Sequence, residues 1–216
     1  MGYITLLRPG IAEFTVQRSR FIAQAAPAAD EAAAQAFLQR VRKEYYDARH
    51  NCSAWVLEAD GSRQRSSDDG EPGGTAGMPI LEVIRRRGVT NCVVVVTRYF
   101  GGIKLGAGGL TRAYSHAAAI GLDAAVLAEV RTMRRLAVTV AYPLLEPLER
   151  WLRQDGVDRE ETLYAEDVTL NLLVEPEKMA AIQAAVTDRT AGRARMEAGD
   201  ETEVVRERPQ GEMGDG

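Results

Sequence analysis

Lysine is scarce in this chain of 216 residues: three lysines stand against 24 arginines. Nucleophile chemistry is equally thin. The two histidines are His50 and His116; Ser115 adjoins His116, but neighbours on a helix point in different directions, so no Ser–His pair forms. Cys52 and Cys92 each follow an asparagine at the start of an apolar run, HNCSAWV and TNCVVVV, and read as buried free thiols. Two cysteines so placed make neither a disulfide framework nor a zinc motif. No catalytic residue, metal or cofactor is therefore assigned. No window approaches the roughly 18 apolar residues of a membrane span. The start MGYITLLRPG lacks a basic segment followed by a long apolar run, so no membrane partner and a cytoplasmic location are expected.

Strong charge of one sign is also missing. The net charge is -4; residues 1–128 carry 15 basic and 12 acidic residues and residues 129–216 carry 12 and 19, giving halves of +3 and -7. Neither half is basic enough to predict nucleic-acid binding from charge alone, so any such contact must be local. What is present is an ordinary globular composition, 45% hydrophobic over 23.6 kDa, enough for one large core or two modest ones.

The apolar pattern divides the chain. Residues 11–26 are strand-like in places, through Phe14, Val16, Phe21 and Ile22. Asp30 is placed as an N-cap for an amphipathic helix over 31–45, where Ala33, Phe37, Leu38, Val41 and Tyr45 recur at helical spacing. A strand is expected at 51–58 and a short helix from Ile80 to Arg87, closed by Gly88. Val93 to Val96 run contiguously and predict a strand buried on both faces. A glycine loop over 101–109 leads to a helix from Leu110 to about Ala125. Further on, Leu136, Val138, Val140 and Tyr142 alternate as a strand. A helical face through Leu145, Leu148 and Leu152 follows, then strands at 157–164 and 167–174, a helix opened by Pro176, and a last strand near 193–204. That order, βαββαβ, is ferredoxin-like. The expectation is an α+β chain: an α/β-like domain over 1–130, a ferredoxin-like sandwich over 131–205 and a flexible tail over 206–216.

Two stretches invite chemistry. SSDDGEPGGTAG (66–77) gathers Asp68, Asp69 and Glu71 among glycines, and admits a solvated turn, a magnesium site or a cleft wall. GGIKLGAGGL (101–110) lies between a buried strand and a helix N-terminus, where backbone N–H groups attract anions, with Lys104 beside them. It matches neither the Walker pattern nor GxGxxG, so anion binding and a purely structural turn both stay open. His50 is either tethered to backbone or a ligand contact. The triple arginine 85–87 reads as a solvated helix end.

Taken together in this order and spacing, DARHNCSAWV, SSDDGEPGGTAGMPIL and VVVTRYFGGIKLGAGGLTRAY resemble the IMPACT family, closely its bacterial YigZ-type members, over about residues 15–125. Residues 134–205 resemble the second domain of those members, which is similar to a ferredoxin-like domain of elongation factor G. The resemblance implies a ribosomal-protein-like left/right βαβ fold for the first domain. It also implies an association with translation, since eukaryotic relatives are known as regulators that relieve inhibition by an amino-acid-starvation kinase. The expected function is a non-enzymatic cytoplasmic regulator that binds RNA, a ribosome or a translation factor through a cleft in the first domain. Its ligand- or partner-binding residues are expected to be Arg49, His50, Asp68, Asp69, Glu71, Thr75, Arg98, Tyr99, Gly101, Gly102, Lys104, Gly106, Gly108, Gly109 and Arg112. In that cleft Asp68, Asp69 and Glu71 would face Arg98, Lys104 and Arg112. The alternative is a nucleotide-binding enzyme using the Lys104 loop for phosphates and Asp68 or Asp69 for magnesium. Some relatives have been labelled peptidases, which no Ser–His–acid or zinc arrangement here supports.

Overall fold

The computed structural model describes residues 2–208; most of the tail expected from residue 206 lies outside them. The described residues form two compact units, Gly2–Val130 with 205–208, and Arg131–Val204. Both are α+β.

The first unit runs β1 (Gly2–Arg8), β2 (Gly10–Val16), β3 (Ser19–Pro27), α1 (Glu31–Glu44), β4 (His50–Leu57), β5 (Arg63–Ser67), α2 (Gly77–Arg86), β6 (Cys92–Tyr99) and α3 (Gly106–Asp123). One sheet takes the order β2-β3-β6-β4-β5, and every neighbouring pair is antiparallel. Continuous burial of Val93 to Val96 in β6 arises because helices cover both faces of this antiparallel sheet. On one face α1 brings Ala34, Leu38 and Val41 against Trp55, Leu57, Val93 and Val95. On the other, α2 and α3 bring Ile80, Ile84, Tyr114 and Ala117 against Phe21, Ala23, Cys52, Val94 and Val96.

Local signals explain most boundaries. The Asp30 carboxylate accepts from the Ala33 N–H at 2.7 Å and caps α1. Asp30→Ala is expected to lower stability by about 1 kcal/mol, read as a lower urea midpoint with an unchanged slope. The run 11–26 is not one strand. It breaks at Gln17 and Arg18, whose φ angles of 44° and 63° make the two-residue turn that matches the twist of a hairpin. Glycine and asparagine are the cheap residues there; each side chain in the left-handed region costs about 1–2 kcal/mol. The helix expected from Leu110 begins at Gly106. Poor helix propensity in Gly106, Gly108 and Gly109 is overridden by the burial of Leu110, Ala113, Tyr114 and Ala117 on the sheet.

The second unit holds β7 (Val126–Val140), which starts in the first unit, then α4 (Tyr142–Gln154), β8 (Asp158–Tyr164), β9 (Val168–Val174), α5 (Met179–Thr190) and β10 (Arg195–Glu207). Strand order is β1-β7-β9-β8 with β10 also beside β7; of these, β8, β9, β7 and β10 take the ferredoxin-like arrangement. Leu136, Val138 and Val140 alternate on β7, as do Leu170, Leu172 and Val174 on β9. Both sets bury against Leu148 and Leu152 of α4 and Ile182 and Val186 of α5. No described helix is long and apolar enough to cross a membrane.

Candidate functional site

The acidic loop between β5 and α2 owes its shape to its own carboxylates. Asp68 accepts the N–H groups of Gly74 at 2.8 Å, Ala76 at 3.0 Å and Gly77 at 2.8 Å, so it ties the loop to the start of α2, a helix with no side-chain cap of its own. Burial pushes the Asp68 carboxyl up. The three N–H donors outweigh it and hold the group below the ordinary aspartate value. Asp69, at φ +42°, splits its oxygens between the Arg42 guanidinium at 2.6 Å and the Asn51 N–H at 2.7 Å. Its carbonyl lies 2.9 Å from Nδ1 of His50, so His50 is tethered to backbone. The Thr75 hydroxyl donates to the Pro72 carbonyl at 2.6 Å. Gly77 presses the loop onto β5, since a Cβ there would meet the Ser67 backbone at 2.6 Å.

Glu71 turns inward. Its Oε1 accepts from Nη1 of Arg98 at 2.7 Å and from the Tyr114 hydroxyl at 2.8 Å, and the ion pair is 6% and 4% exposed. Nη2 of Arg98 donates to the Ser19 hydroxyl at 3.3 Å, the Arg98 guanidinium lies over the rings of Phe21 and Phe100, and its buried Nε has no hydrogen-bond partner among the described residues. The Cys52 thiol donates to the Asp68 carbonyl at 2.9 Å and lies 3.4 Å from the Tyr114 hydroxyl. Burial pushes Cys52 up to about 12 and raises Tyr114 well above an ordinary phenol. A thiol so protonated is no nucleophile. The arrangement is a buried polar clamp joining the acidic loop, β3, β4, β6 and α3.

The cationic residues stand differently. Strand register brings Arg98 opposite both His50 and Phe21, and Tyr99 opposite Arg20, so Arg49, the Gln17–Arg18 turn and the loop after Tyr99 share one end of the sheet. The Tyr99 hydroxyl donates to Asp47 at 2.7 Å; that bond, with burial, raises its pKa to about 12. Gly101 meets the hairpin turn: a Cβ would lie 2.0 Å from the Arg18 carbonyl, and its N–H donates to the Ser19 hydroxyl at 3.2 Å. Gly102 at φ +86° and Gly106 at φ +67° bring the chain past exposed Phe100, Ile103 and Lys104 into α3. No side chain caps α3; the Arg112 guanidinium lies alongside Gly108. Among the described residues, Arg18, Arg49, Lys104 and Arg112 are exposed cations with no ion pair or hydrogen bond from their side chains.

The structure thus brings Glu71 and Arg98 into direct contact and places Arg49, Lys104 and Gly101 at one sheet end, with Arg112 exposed in the second turn of the helix that follows. Asp68 and Asp69 face their own loop, Arg42 and Asn51 rather than Lys104 or Arg112. Gly108 and Gly109 lie within the first turns of α3, so the glycine loop proper ends near Leu105. Sequence reasoning did not single out Arg42, Ser19 or Arg18 for the site. Arg42 carried a weak signal as a cation in the last turn of a helix; a serine and an arginine in a hairpin turn carried none.

Comparison with known proteins places these elements in a family. The Impact N-terminal domain matches residues 17–122, and a domain of unknown function (DUF1949) matches residues 138–193. The IMPACT family member YvyE of Bacillus subtilis is 38% identical over 201 residues, 93% of each chain. The IMPACT family member YigZ of Escherichia coli is 39% identical over 184 residues, 82% of this chain and 88% of that one. A similar solved structure, described as a crystal structure of a hypothetical protein, superposes with a TM-score of 0.60 at 33% identity, covering 92% of this chain and 98% of the other. On the strength of matches that extend over both units, the chain belongs to the IMPACT family.

Proposed function

We propose that the protein is a non-enzymatic partner of the translation apparatus that binds single-stranded RNA across the sheet end formed by Arg49, Phe100, Lys104 and Arg112. The observation that carries this reading is the division of labour between the two loops. Every carboxylate of the acidic loop is spent on an internal donor, whereas Arg49, Lys104 and Arg112 are exposed and unpaired among the described residues. Exposed cations beside Phe100, itself 49% exposed, supply the two elements that unpaired nucleotides require, charge for the phosphates and a ring for a base. IMPACT membership supports the link to translation and a cytoplasmic site of action. A ribosome or translation-factor protein surface is the other partner class. A magnesium–nucleotide enzyme finds less support, because Asp68 and Asp69 have committed their oxygens to N–H donors and Arg42.

The test is fluorescence anisotropy with a labelled 12-nucleotide single-stranded RNA, alongside co-sedimentation with ribosomes. The double variant Lys104→Ala/Arg112→Ala is expected to weaken RNA binding about tenfold and to flatten the salt dependence. Unchanged RNA binding and co-sedimentation in that variant would remove this face from the account. Ribosome binding without RNA affinity would favour a protein partner. Heat on titrating ATP or GTP with magnesium would favour the enzyme.

A further inference from the structure

The hairpin turn at the rim of this face carries the wrong residues for its geometry. Gln17 and Arg18 both sit in the left-handed region, at φ 44° and 63°, where asparagine and glycine are the inexpensive choices. Strain of this kind collects where function needs it and persists only where the surroundings enforce it. Here they do. The Arg18 carbonyl is packed against Gly101 so closely that a Cβ would lie 2.0 Å away, and Ser19, fully buried, accepts from both Gly101 N–H and Arg98 Nη2. The clamp holds the Arg18 backbone against the loop that presents Phe100, Ile103 and Lys104. Its side chain is exposed and has no partner among the described residues. Neighbouring charges do not quench it: Glu13 is occupied by Arg20 at 2.6 Å, and Asp47 accepts from Tyr99.

We propose that Arg18 is a phosphate-contacting residue of the RNA face, a cation held at the rim by a strained turn; this rests on the function proposed above. A strained cation whose guanidinium has no ion pair or hydrogen bond among the described residues is explained by a contact outside its own fold. Arg18→Gly therefore separates folding from binding. It relieves the left-handed strain and removes the charge, so the thermal midpoint is expected to rise by about 2 °C. Affinity for the 12-nucleotide RNA should fall about fivefold, with the magnitude of the salt slope reduced by roughly 0.7. Gln17→Gly is the control, since it relieves the same strain without touching charge; it should raise the midpoint and leave affinity unchanged. Arg18→Asn, also tolerant of positive φ, should repeat the loss of binding. Wild-type affinity in Arg18→Gly, with Lys104→Ala/Arg112→Ala weakened, would overturn this inference alone. A wild-type protein that does not bind the RNA would overturn the function it rests on and the inference with it.

Discussion

Glu71→Ala is expected to destabilise the protein by about 3–5 kcal/mol, because it strands the Arg98 guanidinium in a buried site without its counter-charge. Glu71 and Arg98 are 4% and 6% exposed, 2.7 Å apart, and one nitrogen of Arg98 already lacks a partner. Removing Glu71 also takes the acceptor from the Tyr114 hydroxyl, leaving a second buried donor unmet. Breaking such a pair costs far more than the pair is worth against an apolar substitute of similar volume. The double variant Glu71→Met/Arg98→Met is accordingly expected to recover most of the loss, since neither side chain then carries a charge into the interior. Urea unfolding of wild type, Glu71→Met, Arg98→Met and the double variant forms the cycle. A Glu71→Ala midpoint equal to wild type would mean that water reaches the clamp.

Asp68→Ala should cost about 3 kcal/mol at neutral pH, from three backbone donors deprived of one charged acceptor. This effect depends on pH in a definite direction. The folded protein holds Asp68 below its ordinary value: burial opposes this, and the N–H groups of Gly74, Gly77 and Ala76 prevail. A carboxyl with a depressed folded pKa contributes stability fully above its unfolded value, about 3.9, and loses it as pH falls through the folded one. The gap between wild type and Asp68→Ala should therefore stay constant above about pH 5 and narrow below pH 4. A gap that stayed flat to lower pH would show that the charge on Asp68 contributes nothing. Asp68→Asn should fall between the two, because one amide oxygen can still serve Ala76 and Gly77 while the amide nitrogen cannot accept from Gly74.

Periodicity was enough to read the helices and the central strands, because each owes its place to side chains with a regular apolar repeat. Leu38 and Val41 in α1 and the alternation of Val138 with Val140 in β7 are local statements of a global core. Strand β5 escaped because RQRSS has no apolar residue; it exists through its backbone pairing with β4 at the sheet edge. Strand β1 escaped because the apolar residues of GYITLLR, Tyr3, Ile4, Leu6 and Leu7, come in adjacent pairs and do not alternate, though Leu6 reaches the core. At the site, the carboxylates were legible as residues and illegible as partners. Asp69 meets Arg42 and Glu71 meets Arg98 across 27 positions each, in opposite directions along the chain, and no local pattern encodes such a meeting. The position of Arg18 depends on a contact with Gly101, which only the sheet register creates.

The central position of β6 has a consequence for biosynthesis. This strand pairs with β3 on one side and β4 on the other, joining Ala25 to Val94 and Ala54 to the same residue. Until the chain has been made through Tyr99, β3 and β4 have no strand between them and each presents an open edge. Closure of long loops then precedes most of the stabilising contacts, which sets a slow folding step for this unit. Nascent chains stalled before residue 92 would expose two apolar strand edges suited to pairing with other chains, a hazard that completion of a single eight-residue strand removes.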